Sequence, residues 1–357
     1  MIDGAGPWGT GPYKLVEGFS IPGKRSDRLV LEANTSYWDK SRSPRIKRIV
    51  FDNTLSQKDA VELVKTGDSR VDLVTDLSPL ETLRVAQSSA ATVVKNRGGL
   101  GTVFGLFNMR KTGSPWSDLR LRRAANLAVN RADLIRYGAR GNGAMIPALL
   151  PARAFGHDPA LAPYAFDPSK ARALLREAGY PGGLAVTLLA RDTLDVQATV
   201  VGKMLEQAGF RVDRQVLDAA TARHKTDLSQ LDQPAEHQQW DIALKADLDW
   251  ANFPPITLYQ YYALDGNQAW LAETPELRRL YDLVLRTVNR DRQQELVRQM
   301  ERHTHDQAYF LFLYNYIPLY AVNRGVVFTP YVDDWLRFAE TSVTDQHWSL
   351  RKAATKP

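Results

Sequence analysis

The 357-residue chain contains no cysteine. Disulfides, thiolate nucleophiles and cysteine-ligated zinc or iron–sulfur centres are therefore excluded, although that absence does not fix the compartment. Histidine is scarce: the six are His157, His224, His237, His303, His305 and His347. None stands in a metalloprotease motif. His303 and His305 lie two apart, a spacing that does not share a helix face, so no metal site is expected and a solvated helix is the reading. There is no Gly-x-Ser-x-Gly nucleophile elbow, and no spacing singles out a carboxylate pair. Gly98-Gly99-Leu100-Gly101 lacks the Gly-Lys-Ser/Thr of a phosphate loop and reads as a turn. The longest apolar stretch, Tyr309 to Val322, is broken by Asn315 and Pro318, short of the ~20 residues a membrane helix needs. The first residues lack the basic and apolar regions of a signal peptide. No internal repeat or low-complexity segment is seen.

The composition that remains is that of a globular protein. Hydrophobic residues make up 44% and charged residues 24%, and the length suggests about two domains, at ~100–200 residues each. The net charge is +6, with basic residues crowded between Lys24 and Arg48. Without a recognisable nucleic-acid module beside it, that stretch reads as a solvated face, and no nucleic-acid partner is expected.

Along the chain the first hundred residues read as short strands, Tyr13–Glu17, Arg28–Glu32, Ile46–Phe51, Ala91–Lys95 and Thr102–Phe107, separated by Gly/Pro/Asn/Asp clusters. Ser56 and Asp59 form a capping-box pattern opening a helix through Lys65, and a second helix is expected after Pro79. Asp118 caps a predicted helix through Val129. Gly138 to Pro163 reads as a long loop, functional or mobile. From Asp167 the order is helix, strand, helix, strand, helix, strand. Asp167-Pro168 opens the first helix and Ala178-Gly179 closes it. The strands are Leu184–Leu189, Phe210–Leu217 and Trp240–Leu244, and Ala208-Gly209 ends the second helix. Strands joined by single helices can run parallel through right-handed crossovers, which predicts an open α/β sheet. Thr274-Pro275 then caps two helices, about 276–288 and 292–308, before strands Phe310–Tyr316 and Leu319–Asn323.

In an open α/β sheet ligands bind beyond the carboxyl ends of the strands. Three loops leave those ends: Ala190–Leu194, Asp218–Thr221 and Lys245–Pro255. The third carries Asp247, Asp249, Trp250, Asn252 and Phe253, two carboxylates, an amide and two rings. A carboxylate can pair with an ammonium group and rings can cover an apolar side chain. The plainer alternative is an ordinary loop acid or cap, with Trp250 and Phe253 in the core.

Several stretches, in order, resemble the family-5 extracellular solute-binding proteins that serve peptide, nickel and opine ABC importers. They include Gly9-Thr10-Gly11-Pro12-Tyr13, Asn34-Thr35-Ser36-Tyr37-Trp38, Phe107-Asn108-Met109-Arg110, and Asp167-Pro168 through Ala178-Gly179-Tyr180. Ile317-Pro318-Leu319-Tyr320 closes the series. The resemblance implies a two-lobed α/β fold of the type II periplasmic-binding-protein kind, with an incomplete lobe I and a complete second lobe. The expected parts are 1–105 in lobe I, 106–318 as the second lobe, and 319–357 returning to lobe I. The chain begins at a segment that in the family follows a signal sequence and part of lobe I, so it is expected to be N-terminally truncated.

The resemblance also implies a function. Expected is a monomer that binds a peptide or similar small solute by lobe closure, at the periplasm or cell surface, and hands it to ABC permease subunits without chemistry or cofactor. The crossing strands near Thr102–Asn108 and Ile317–Asn323 would be the hinge. In the family's peptide binders an aspartate in a Trp-x-Ala-Asp pattern pairs with the ligand's ammonium. Ala246-Asp247 fits it, Asp249 is a rival in another register, and Leu244 replaces the tryptophan. A hydrolase acting on peptides or esters is the alternative.

Overall fold

The computed structural model describes residues 4–6, 9–21, 24–67, 70–232, 238–248, 257–272 and 274–350. The chain divides into two compact units. Gly98–Ile317 forms one, and the stretches before and after it, up to Arg97 and from Pro318, together form the other.

The discontinuous unit is strand-rich. Tyr13–Glu17, Arg28–Ala33 and Arg48–Asp52 make an antiparallel sheet. A second one places Leu319–Asn323 between Leu73–Val74 and Ala91–Lys95. The helix Gln57–Thr66 buries Val61 and Val64, and Ser56 caps it by accepting from Asp59 N–H at 3.2 Å, the bond its sequence pattern predicts. The end of the chain is tied back at Asp72, whose Oδ1 accepts from Trp348 Nε1 at 2.9 Å, His347 Nε2 at 3.0 Å and Asn323 Nδ2 at 3.2 Å.

The continuous unit is built on a six-stranded sheet. Its order is Arg211–Leu217, Ala185–Arg191, Ile242–Leu248, Gly101–Phe107, Phe310–Tyr316, Gly143–Met145. The first three strands are parallel, as their intervening helices require, while the other three add antiparallel pairings, so the sheet is mixed. Helix Leu119–Ala128 is capped by Asp118, which accepts from Arg120 N–H at 2.8 Å. Helix Pro168–Glu177 is capped by Asp167, which accepts from Lys170 N–H at 2.8 Å, and Gly179 leaves it at φ +94°. Thr274 precedes helix Pro275–Arg286 but makes no side-chain cap bond there. The first-turn proline alone marks that start.

Large rings fill the core. Phe107 stacks on Trp116 with centroids 4.6 Å apart, and Trp240 meets Trp270 edge-on at 4.9 Å. Beside them Asp241 gathers Thr187 N–H at 2.9 Å, Trp116 Nε1 at 3.4 Å and Lys111 Nζ at 2.5 Å. Arg131 is buried among neutral acceptors. Its guanidinium donates to Phe312 O at 2.8 Å, Asn126 Oδ1 at 3.0 Å, and the carbonyls of Asn126, Tyr164 and Val129 at 3.1 to 3.2 Å. Burial without a carboxylate beside it, among the described residues, lowers its pKa to about 10.

Three expectations change. The loop from Gly138 to Pro163 is packed in rather than mobile. Ile146, Ala148, Leu149 and Leu150 are buried, Thr102 Oγ1 donates to Leu149 O at 2.8 Å, and Leu150 N–H donates to Glu301 at 3.2 Å. His303 and His305 are not on a solvated face. His305 lies against the Tyr164 ring at 4.4 Å and His303 against Tyr309 at 5.6 Å. The compact units change at Arg97/Gly98 and Ile317/Pro318 rather than after residues 105 and 318. The reason is that Gly101–Phe107 is hydrogen-bonded on both edges inside the six-stranded sheet.

Candidate functional site

The three parallel strands end together, and a cavity of about 310 Å³ opens beyond them. Leu189 and Arg191 come from the end of one strand, and Leu244, Lys245, Ala246 and Asp247 from the end of another. Ala219, Ala222 and Arg223 come from the helix Ala219–Lys225, and Tyr261, Tyr262 and Gln268 from the segment that returns over the sheet. Asp218, at the end of the third strand, starts that helix by accepting from the N–H groups of Ala220 and Thr221, both at 3.0 Å. The site lies where the strand order places it.

Asp247 is on a strand rather than in the loop the sequence suggests. Ile242–Leu248 runs longer because it pairs with Gly101–Phe107 as far as Leu248 opposite Gly101. Asp247 Oδ2 accepts from the Tyr262 hydroxyl at 2.8 Å, and Oδ1 from Leu248 N–H at 2.9 Å. The Tyr262 hydroxyl is held well above the usual tyrosine range, by burial first and then by the Asp247 charge. It therefore stays a donor. Tyr262 is in turn fixed edge-on against Phe104 at 5.0 Å and Tyr261 at 4.8 Å.

Lys245 shares the Asp247 face, because side chains alternate along a strand. Its ammonium donates to Thr226 Oγ1 and Gln268 Oε1, both at 2.7 Å. Enclosure lowers its pKa to about 7. Asp247 opposes that fall, while Arg191 and Arg223 add to it. Arg191 Nε is buried with no hydrogen-bond partner among the described residues. An orphaned donor on a cation, at a cavity wall, is an arrangement that an incoming acceptor would satisfy.

Of the residues singled out from sequence, Asp247 is in this cavity. Asp249, Trp250, Asn252 and Phe253 lie outside the described residues. Leu244, in the position of the expected tryptophan, is buried and lines the wall. Sequence reading missed Arg191, Arg223, Lys245, Tyr262 and Gln268. Alternation back from Asp247 would have found Lys245, and the end of the neighbouring strand Arg191. Nothing local marks Tyr262 or Gln268, which reach the site only through the tertiary fold.

A sequence model described as bacterial extracellular solute-binding proteins, family 5 Middle, matches residues 3–269. The chain belongs to that family. Among its curated relatives, the glutathione-binding protein GsiB of Pectobacterium atrosepticum is 23% identical over 313 residues, covering 86% of this chain and 58% of the relative. The dipeptide-binding protein of Escherichia coli is 27% identical over 184 residues, covering 52% of this chain and 32% of the relative. The chain thus spans between a third and three-fifths of these relatives' lengths. Solved family-type folds agree. The ABC transporter substrate binding protein CtaP of Listeria monocytogenes superposes with a TM-score of 0.77 at 18% identity, over 94% of this chain and 67% of that one. The periplasmic binding protein DppA of Helicobacter pylori, in complex with the peptide STSA, gives 0.75 at 19%, over 94% and 63%. The two-lobed α/β periplasmic-binding-protein fold is therefore that of this chain.

Proposed function

We propose that this chain holds the solute for an ABC importer, binding a peptide or similar zwitterion and releasing it to permease subunits without altering it. The observation that carries this reading is Asp247, a carboxylate fixed by Tyr262 at the carboxyl ends of the parallel strands and open to a cavity. It would take the ligand's ammonium, and Arg191, with its orphaned Nε, would take the carboxylate. A binding protein acts outside the cytoplasm, so the periplasm or cell surface is the working location of the protein that contains this chain. Release would follow from motion of the two compact units about Arg97–Gly98 and Ile317–Pro318, the two points where the chain passes between them, with the ligand shifting the population. Those points replace Thr102–Asn108, which is fixed in mid-sheet. A family of binding proteins favours this reading over the hydrolytic alternative.

Calorimetric titration with Ala-Ala tests it. Asp247→Asn should weaken binding by about 30-fold or more, the cost of removing one partner of an enclosed charge pair being ~2–5 kcal/mol. Unchanged affinity removes Asp247 from the site. Hydrolysis of the peptide by purified protein would overturn the binding role itself.

A further inference from the structure

The cavity has an excess of positive charge. Among the described residues, Arg191, Arg223 and Lys245 line it, against Asp247. Asp227 faces Arg223 from the turn after its helix, and His224 and Lys225 follow Arg223 on that helix. Tyr261 and Tyr262, from the covering segment, stay neutral because burial raises both. Asp227 is further engaged by Asn267 Nδ2 at 2.6 Å and by Ser229 N–H at 3.0 Å. A ligand with one ammonium and one carboxylate brings no net charge, so it would leave this excess uncompensated.

Lys245 is the unusual member. Thr226 and Gln268 take two of its three N–H donors. Gln268 Oε1 also accepts from the Thr226 hydroxyl at 2.7 Å, and Trp270 Nε1 donates to Thr226 O at 2.6 Å. The ammonium is therefore held in a built seat of neutral acceptors, with Asp247 two residues along the same face and no ion pair of its own among the described residues. A lysine placed this way costs desolvation and gains little from the protein alone. A ligand that brings an additional anionic group would make up the difference.

We propose that Lys245 determines the charge class of the solute, which is an acidic peptide carrying a side-chain carboxylate besides its terminal one. This rests on the peptide reading above. Arg191 and Asp247 would hold the two termini, and Lys245, with Arg223 at the rim, would hold the extra carboxylate. Because the lysine's pKa lies near neutrality, the preference for acidic over neutral peptides should fade as pH rises.

The test is the ratio of dissociation constants for Ala-Ala and Ala-Glu, measured by calorimetry on the full chain at pH 6.0 and 8.5. Both peptides share the same terminal ammonium, so its titration cancels in the ratio. The wild type should favour Ala-Glu by about tenfold at pH 6.0, the scale of one partly screened charge pair, and by about twofold or less at pH 8.5. Lys245→Met should lower the ratio to near one at both pH values, while His224 remains in place. Lys245→Arg should keep the preference at pH 8.5. Equal affinity of the wild type for the two peptides at pH 6.0 would overturn the inference and leave the peptide reading standing. Binding of neither peptide would overturn both. If Lys245→Met does not fold, the wild-type pH dependence decides alone: a ratio that does not change with pH rules Lys245 out.

Discussion

The Tyr262 hydroxyl donates to Asp247 Oδ2 at 2.8 Å. That bond fixes the direction of the only carboxylate lining the cavity among the described residues. Replacing Tyr262 by Phe keeps the ring, and so the edge contacts to Phe104 and Tyr261, and removes the donor. Asp247 then keeps only the bond from Leu248 N–H and is better solvated. Peptide affinity should fall by about 3- to 10-fold, in keeping with the loss of a hydrogen bond to a charged acceptor. The melting temperature should move little. Calorimetry on the Phe variant decides it, and an unchanged dissociation constant would reduce Tyr262 to packing.

The sheet was largely legible and the site only in part, for a physical reason. Tyr13–Glu17, Ala91–Lys95, Phe310–Tyr316 and Leu319–Asn323 fall where composition and flanking turns put them. Caps at Ser56, Asp118 and Asp167 were legible because a side chain and an N–H two or three residues on make one local bond. Asp247 was found, but on the wrong kind of element, since the extension of its strand depends on pairing with Gly101–Phe107, far away in sequence. Thr226, Tyr262 and Gln268 reach the site through long-range packing that no local pattern records.

Glu301 is fully buried, and its carboxylate accepts from the Tyr259 hydroxyl and from Leu150 N–H. Burial outweighs those bonds and raises its pKa from the ordinary 4.5 to about 8. For an acid raised in the folded state, stability is greatest below the unfolded value. It declines from about pH 4.5 to about pH 8, as the unfolded chain sheds a proton the native one keeps. The decline should be on the order of 5 kcal/mol. In Glu301→Gln the amide can donate to the Tyr259 oxygen while its carbonyl accepts from Leu150. Urea titrations at pH 5 and 8.5 should show a smaller loss for the Gln variant. Parallel losses in both proteins would locate the pH dependence elsewhere.

Gly101 lies beneath the Tyr316 ring, where a Cβ would collide with the ring atoms. Asn315 Nδ2 fixes the same segment by donating to Gly99 O at 3.0 Å and Gly101 O at 2.6 Å. Gly101→Ala should therefore cost about 1–3 kcal/mol by overpacking. Tyr316→Ala in the same chain should recover most of that term, because the clash needs both side chains. A double-mutant cycle in urea measures the coupling. Additive losses would show that the glycine is needed for some reason other than the ring.

Arg131 makes five bonds to carbonyl and amide oxygens and is buried without a carboxylate partner among the described residues. Its flat fork reaches the strand Phe310–Tyr316 through Phe312 O, the helix Leu119–Ala128 through Asn126, and Tyr164 O from the following loop. Lysine keeps the charge but offers three donors from one point. Arg131→Lys should leave carbonyls unpaired and lower stability by roughly 2–4 kcal/mol. Arg131→Met removes the buried charge as well and leaves the same carbonyls unpaired. If bond geometry is what the guanidinium supplies, both variants lose stability. If its charge were the main burden, Met would be more stable than the wild type. Urea midpoints of the two variants distinguish these outcomes, and a Lys variant as stable as the wild type would show that the fork geometry does not matter.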